Sequence, residues 1–151
     1  MYKLDDWVDA SQLDPYFISK NPRAIRYLQE HPEMMCWDGL SMNPEAMHLI
    51  SQNLDKVCWW HVSANPAAIS LLLEHPTKMN WDGLSRNSAA LDLLQQNPTR
   101  INWEILNSNT SAIELLTQNP SRINWMWLSQ NTISKELLCL AAVLILHREA
   151  K

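Results

Sequence analysis

The sequence from Trp81 to Asn102 reads WDGLSRNSAALDLLQQNPTRIN, and the next stretch, from Trp103 to Asn124, reads WEILNSNTSAIELLTQNPSRIN. The two stretches align over 22 residues without insertion or deletion. Tryptophan recurs at this interval along most of the chain, at Trp37, Trp59, Trp81, Trp103 and Trp125. A fixed period in this range of lengths is typical of proteins built from stacked structural repeats.

The period divides the 151 residues into one domain with six repeat units. Position 1 of each unit is the periodic Trp, or Pro15 in the first unit. We predict an N-terminal half-repeat or cap at 1–14, followed by repeats at 15–36, 37–58, 59–80, 81–102 and 103–124. The segment 125–151 is predicted to hold the last repeat and a C-terminal cap.

Position 7 is asparagine in every unit: Asn21, Asn43, Asn65, Asn87, Asn109 and Asn131. Proline follows it in the first three units, and Ser or Thr follows it in the others. Asparagine caps the free N–H groups at the start of a helix, and proline suits the first helical position, so the pair predicts a helix start. Apolar residues then recur on one helical face until an Asn-Pro or His-Pro pair ends the helix, after about nine residues.

A second start signal lies just before position 1. Asn80, Asn102 and Asn124 each precede a tryptophan and can cap a one-turn α or 3₁₀ segment. Neither helix of the unit is long enough to be stable alone in water, so the units must stack. The predicted fold is all-α: an α-solenoid of six 22-residue units, each a one-turn segment plus the longer helix.

Three rows of apolar side chains are predicted to form ladders through the core of this solenoid. They are the periodic tryptophans, the aliphatic residues at position 4 and the apolar residues at position 21. Alanine at position 10 of the first five units lets successive long helices approach closely. The last helix has no Asn-Pro stop and is predicted to run on to Leu146 as a longer C-terminal capping helix.

Composition and charge exclude several classes of protein. The net charge is −4, which argues against a general nucleic-acid binder because neutralising phosphates needs a basic surface. Cys36, Cys58 and Cys139 match no disulfide framework, which favours a reducing compartment, and we expect a cytoplasmic protein. The apolar run Leu137–Leu146 is too short to cross a bilayer, so no membrane partner is expected. We expect a monomer or weak self-association.

The repeat can be written Trp-x-x-Leu-Ser-x-Asn-Pro-x-Ala-Ile-x-Leu-Leu-x-x-Asn-Pro-x-Lys/Arg-Ile-Asn. This pattern resembles the short tandem repeats that are abundant in giant DNA viruses of algae and protists, and the resemblance covers essentially the whole chain. It implies a viral or virus-derived intracellular protein, and it carries no catalytic residues with it. The last unit departs from the pattern, as does Leu54, which stands where proline is usual.

Few residues suggest chemistry. The stretch Cys58-Trp-Trp-His61 offers two metal-ligand types, but a zinc site needs three or four ligands and no second pair lies in register. His31 and His75 stand where other units have an asparagine, so we interpret them as helix-ending residues. No phosphate-binding loop or nucleophile motif is present in the sequence. We therefore predict no enzymatic activity, no cofactor and no metal.

Three sets of variable residues are candidate binding surfaces. The first is a row of cations at position 20: Lys56, Lys78, Arg100 and Arg122. The second is position 12, which changes from basic to acidic along the chain: Arg26, His48, Ser70, Asp92, Glu114 and Glu136. The third is the set of bulky residues at positions 2 and 3, where Trp and Met are typical of interface centres: Trp60, His61, Met126 and Trp127. These residues could equally cover the edge of the core.

These features predict a non-enzymatic scaffold for protein–protein interaction, with a host factor as partner if the origin is viral. One alternative is binding of nucleic acid or an acidic ligand along the cation row, and the cations could equally neutralise helix ends. A second alternative is a structural component that assembles with itself. The sequence does not identify the partner or the concave face.

Overall fold

The computed structural model describes residues 12–126. Within that range it is helical throughout and has no strand, and short helices pack against one another in a repeated order, so the predicted all-α class is confirmed. Two compact units divide the chain, Met1–Gly83 and Leu84–Lys151. The predicted half-repeat at 1–14 falls mainly outside the described residues, and the capping helix to Leu146 falls entirely outside them.

Each described repeat contributes two α-helices, as predicted. The first helix of the repeat is α1 at Pro15–Lys20, α3 at Trp37–Ser41, α5 at Trp59–Ala64, α7 at Trp81–Arg86 and α9 at Trp103–Leu106. The second is α2 at Ile25–Glu30, α4 at Met47–Ser51, α6 at Ile69–Glu74, α8 at Leu91–Gln96 and α10 at Ile113–Gln118.

The predicted nine-residue helix begins with a tighter turn than we expected. In the first three repeats it starts as a 3₁₀ turn, at Pro22–Ala24, Pro44–Ala46 and Pro66–Ala68, and α2, α4 and α6 then follow. Where Ser88 or Thr110 replaces the proline, the segment is an ordinary turn. In both kinds of repeat the N–H at position 10 donates to the carbonyl of the position 7 asparagine, as Ala24 does to Asn21 at 3.0 Å. This three-residue spacing defines a 3₁₀-type start.

The predicted extended connection to the next repeat also contains a 3₁₀ turn wherever proline is present. These turns are Pro32–Met34, Pro76–Lys78, Pro98–Arg100 and Pro120–Arg122. At Leu54, which stands in the place of the proline, residues 54–56 form a plain turn instead. The fixed backbone angle of proline accounts for the difference.

The apolar core lies between the two rows of helices in each compact unit. Position 14 is at most 1% exposed in every described repeat: Leu28, Ile50, Leu72, Leu94 and Leu116. Position 4 is completely buried from the second repeat on: Leu40, Val62, Leu84 and Leu106. Position 10 is completely buried over the same range: Ala46, Ala68, Ala90 and Ala112. These positions recur because each one fills the same place in the core.

The tryptophans do not form the central ladder that we predicted. Trp37, Trp59, Trp81 and Trp103 are half-buried, and Trp125 is 48% exposed. Trp37, Trp59, Trp81 and Trp103 each begin the first helix of their repeat. Position 20 cations lie over such rings: Lys56 Nζ is 5.2 Å from the centroid of the Trp37 ring, and Arg122 Cζ is 5.7 Å from that of the Trp103 ring.

Glycine at position 3 allows the first helices of consecutive repeats to approach closely. A Cβ added to Gly39 would overlap the carbonyl oxygen of Tyr16 and lie 2.9 Å from the Cβ of Ser19. A Cβ added to Gly83 would lie 2.8 Å from the Cβ of Ser63. Position 3 therefore faces the preceding first helix, and α3 packs tightly on α1 because it has no side chain there.

Candidate interaction surfaces and a polar side-chain cluster

The position 7 asparagines have a second role that the sequence did not reveal. As predicted, their side-chain oxygens cap the next turn; Asn43 Oδ1, for example, accepts from the N–H of Glu45 at 3.0 Å. Their Nδ2 groups also donate to the preceding repeat, and Asn43 reaches the carbonyl of Ser19 at 2.8 Å and that of Asn21 at 3.0 Å. Asn109 makes the same pair of bonds to Ser85 and Asn87, each at 3.1 Å. Asn43 and Asn109 are both buried, so these bonds join consecutive repeats inside the core.

The side chain at position 5 accepts a hydrogen bond from the backbone N–H of the last residue of its own repeat. The hydroxyl of Ser19 accepts from the N–H of Cys36 at 2.8 Å, and Ser41 accepts from Cys58 at 3.1 Å. Asn107 is the one departure from serine in the described repeats, and its Oδ1 takes the same role by accepting from Asn124 at 2.8 Å. The recurrent polar residues therefore build the interior of the fold.

The variable positions lie mainly on the surface. At position 12 the side chains are all exposed and differ in charge and size: Arg26, His48, Ser70, Asp92 and Glu114. The predicted cations are also exposed: Lys56 and Lys78 in the first compact unit, and Arg100 and Arg122 in the second. The surface thus changes from repeat to repeat while the interior stays nearly constant.

The cations have local partners that account for part of their recurrence. Besides lying over Trp37, Lys56 Nζ donates to Asn53 Oδ1 at 3.0 Å. These contacts support the interpretation that position 20 serves the ends of its own repeat. They give less support to the hypothesis that these cations bind nucleic acid or an acidic ligand.

The bulky candidates at positions 2 and 3 have different environments. Met126 is 65% exposed, Trp60 and His61 are half-buried, and Trp127 lies outside the described residues. The ring centroid of Trp60 is 5.1 Å from that of His61, and the two rings are nearly perpendicular. Leu73, which the sequence analysis did not single out, is 56% exposed at the end of the apolar run in α6.

The structure brings a third potential ligand to Cys58 and His61. One ligand atom from each of Asp38, Cys58 and His61 lies within 4.8 Å of the other two. Asp38 is the second residue of α3, Cys58 directly precedes α5, and His61 is the third residue of α5. Nδ1 of His61 is 3.8 Å from Oδ1 of Asp38. Cys36 and Cys58 are both free thiols, as expected from their spacing of one repeat.

Comparisons with protein-family models, curated proteins and solved structures find no match to this chain. Across the described residues, the helices are all too short or too polar to cross a bilayer.

Proposed function

We propose that this protein is an α-solenoid that binds a protein partner through its variable surface positions and catalyses no reaction. The observation that carries this proposal is the separation of the two kinds of position. Recurrent residues such as Leu40, Ser41 and Asn43 are completely buried, while the variable residues at position 12 and the cations at position 20 are exposed. A repeat protein in which the interior is constant and the surface varies suits recognition of another macromolecule.

The bonds between repeats support the solenoid part of the proposal. A bond spacing of 22 or 24 residues occurs in both compact units, from Asn43 in the first and from Asn109 in the second. Within each compact unit, one repeat therefore contacts the repeat before it through the same pair of bonds. Repetition of one such contact along a chain produces a solenoid.

A protein is the partner class that the exposed side chains favour. Met126 and Leu73 present apolar surface, and exposed apolar side chains beside polar ones are common in protein interfaces. The resemblance of the repeat to those of giant DNA viruses extends the proposal to a partner from an infected host cell and to a cytoplasmic location.

Affinity capture with the full chain tests the proposal. We expect a defined set of proteins to be retained, and we expect Trp60→Ala combined with Met126→Ala to reduce retention at least about tenfold, because such residues dominate interface energies. Circular dichroism must show that the variant keeps the helical content of the parent chain. Unchanged retention of the partner by this variant would rule out Trp60 and Met126 as contact residues.

Reversal of the cations distinguishes nucleic-acid binding. If nucleic acid were the partner, Lys56→Glu with Lys78→Glu would abolish binding, and affinity would fall steeply between low and physiological salt. We expect neither result. Lys20→Glu is the matched control because it reverses an exposed charge that lies outside the position 20 row.

A further inference from the structure

We propose that Asp38, Cys58 and His61 form a binding site for a zinc-type divalent ion that joins two consecutive repeats. The proposal departs from the sequence-based prediction of no metal, which counted only two ligands. The missing ligand was Asp38, which the stacking of α5 on α3 brings within 4.8 Å of the other two.

The fold positions Cys58 and His61 against α3 through contacts that recur along the chain. The backbone N–H of Cys58 donates to Ser41 Oγ, in the last residue of α3, at 3.1 Å. His61 occupies position 3, the place at which Gly39 faces the helix before it. The imidazole of His61 is therefore directed at α3, and its Nδ1 lies 3.8 Å from the carboxylate of Asp38.

The burial of His61 points to a ligand. Its Nδ1 is buried and has no hydrogen-bond partner among residues 12–126. A buried polar atom without a partner is unfavourable, and coordination to a metal would satisfy it. The imidazole also contacts the Trp60 ring, with centroids 5.1 Å apart and the two rings nearly perpendicular. Asp38 is 62% exposed, so an ion can enter from solvent on that side.

The three ligand types fit zinc better than they fit calcium or magnesium. Zinc is bound by thiolate sulfur, imidazole nitrogen and carboxylate oxygen, whereas the other two ions require mostly oxygen ligands. In a tetrahedral zinc site two nitrogen or oxygen ligands are about 3.4 Å apart, from bond lengths of about 2.1 Å. The observed separations require only small side-chain movements. Three protein ligands leave the fourth position for water, and the thiol proton of Cys58 passes to solvent on binding.

Only one register of the described repeats provides all three ligands. Cys36 occupies the same position as Cys58, but its neighbours at the matching positions are Tyr16 and Gly39, which bind no zinc through their side chains. Position 3 of α3 is Gly39, which lets α3 pack closely on α1, whereas position 3 of α5 is His61. A bound ion would link α3 and α5 in place of that close contact.

Titration of the metal-free full chain with Co²⁺ tests the proposal, because a thiolate ligand gives Co²⁺ a charge-transfer band and tetrahedral geometry gives it strong visible absorption. We expect one equivalent to bind and Zn²⁺ to displace it. Cys58→Ser should abolish the charge-transfer band. His61→Gln and Asp38→Asn should each weaken binding by more than about 100-fold, because loss of a ligand costs more than the 10- to 100-fold typical of an outer-shell partner. Zn²⁺ should raise the unfolding temperature of the parent chain and leave that of Cys58→Ser unchanged.

Two matched controls keep the result specific. Cys36→Ser should retain the full spectrum, since its thiol does not belong to the cluster. The proposal predicts the same for Cys139→Ser. Absence of Co²⁺ absorption in the parent chain would overturn the proposal, and the contact would then be a histidine–aspartate pair beside a free thiol. A spectrum that survives Cys58→Ser, or that is lost with either control, would overturn it as well.

Discussion

The side-chain amide of Asn43 has an acceptor oxygen and a donor nitrogen, and the two face different repeats. The oxygen caps the start of its own second helix, and the nitrogen donates to two carbonyls of the repeat before. Asn21 occupies the same position in the first repeat, but it is exposed, and its side-chain oxygen accepts from the N–H of Arg23 at 3.0 Å. Among residues 12–126, the first asparagine thus has only the capping role.

Replacement of each asparagine by aspartate separates the two roles, because aspartate keeps the capping oxygen and loses the donor. We expect Asn43→Asp to lower the free energy of unfolding by about 3 kcal/mol or more, since it buries a carboxylate against two carbonyl oxygens. Asn21→Asp should change it by less than about 0.5 kcal/mol, because aspartate and asparagine cap equally well. Denaturant unfolding measures both values, and equal losses would show that the bonds between repeats contribute little.

Interactions between residues that are close in sequence could be predicted, whereas contacts between different repeats could not. The caps at position 7 could be predicted because Asn-Pro is a signal within two residues. The Nδ2 bonds could not be predicted, because their acceptors are backbone carbonyls of the preceding repeat, and these require no particular residue type. Asp38 was missed for a related reason: it lies about one repeat from Cys58 and His61, and only the packing of α5 on α3 brings it to them. The tryptophans were assigned to the core because large aromatic residues are usually buried.

At the scale of the helix, position 3 sets how closely first helices can pack. Gly39 puts α3 directly on the backbone of α1, and Gly83 faces the backbone of α5 in the same way. His61 gives α5 a bulky side chain at this position. The two kinds of contact alternate within the first compact unit. Asp38, Cys58 and His61 meet at the contact between α3 and α5, where position 3 carries histidine instead of glycine.

Gly39→Ala tests the close contact between α1 and α3, because alanine is intrinsically more favourable than glycine in a helix. On an exposed helix this change would stabilise by about 1 kcal/mol. At this site the new Cβ would overlap the Tyr16 carbonyl, so we expect a loss of about 1–3 kcal/mol in the free energy of unfolding. Ser70→Ala, at an exposed position of α6, is the control and should change stability by less than about 0.5 kcal/mol. A stabilising effect of Gly39→Ala would mean that α1 and α3 are not in tight contact.

The whole molecule is expected to tolerate changes in length that preserve the register of its bonds. The bonds within and between repeats span 17, 22 and 24 residues. Deletion of residues 59–80 removes one period and joins Cys58 to Trp81, which puts Ser85 and Asn87 in the places of Ser63 and Asn65. We expect this shorter chain to remain helical and to unfold cooperatively with a smaller denaturant dependence, because less surface is exposed on unfolding.

Deletion of residues 59–69 is the matched control, because it removes half a period and so breaks the register. Glu74 and Pro76 would then stand where Ser63 and Asn65 belong, so a charged side chain would enter the core and the donor to the preceding repeat would be lost. We expect this chain to lose its cooperative transition. If both deletions unfold the protein equally, the repeats do not stack as interchangeable units, and the solenoid proposal fails while the helices of each repeat remain as described. If only the half-period deletion unfolds it, the register of the bonds between repeats is what maintains the fold.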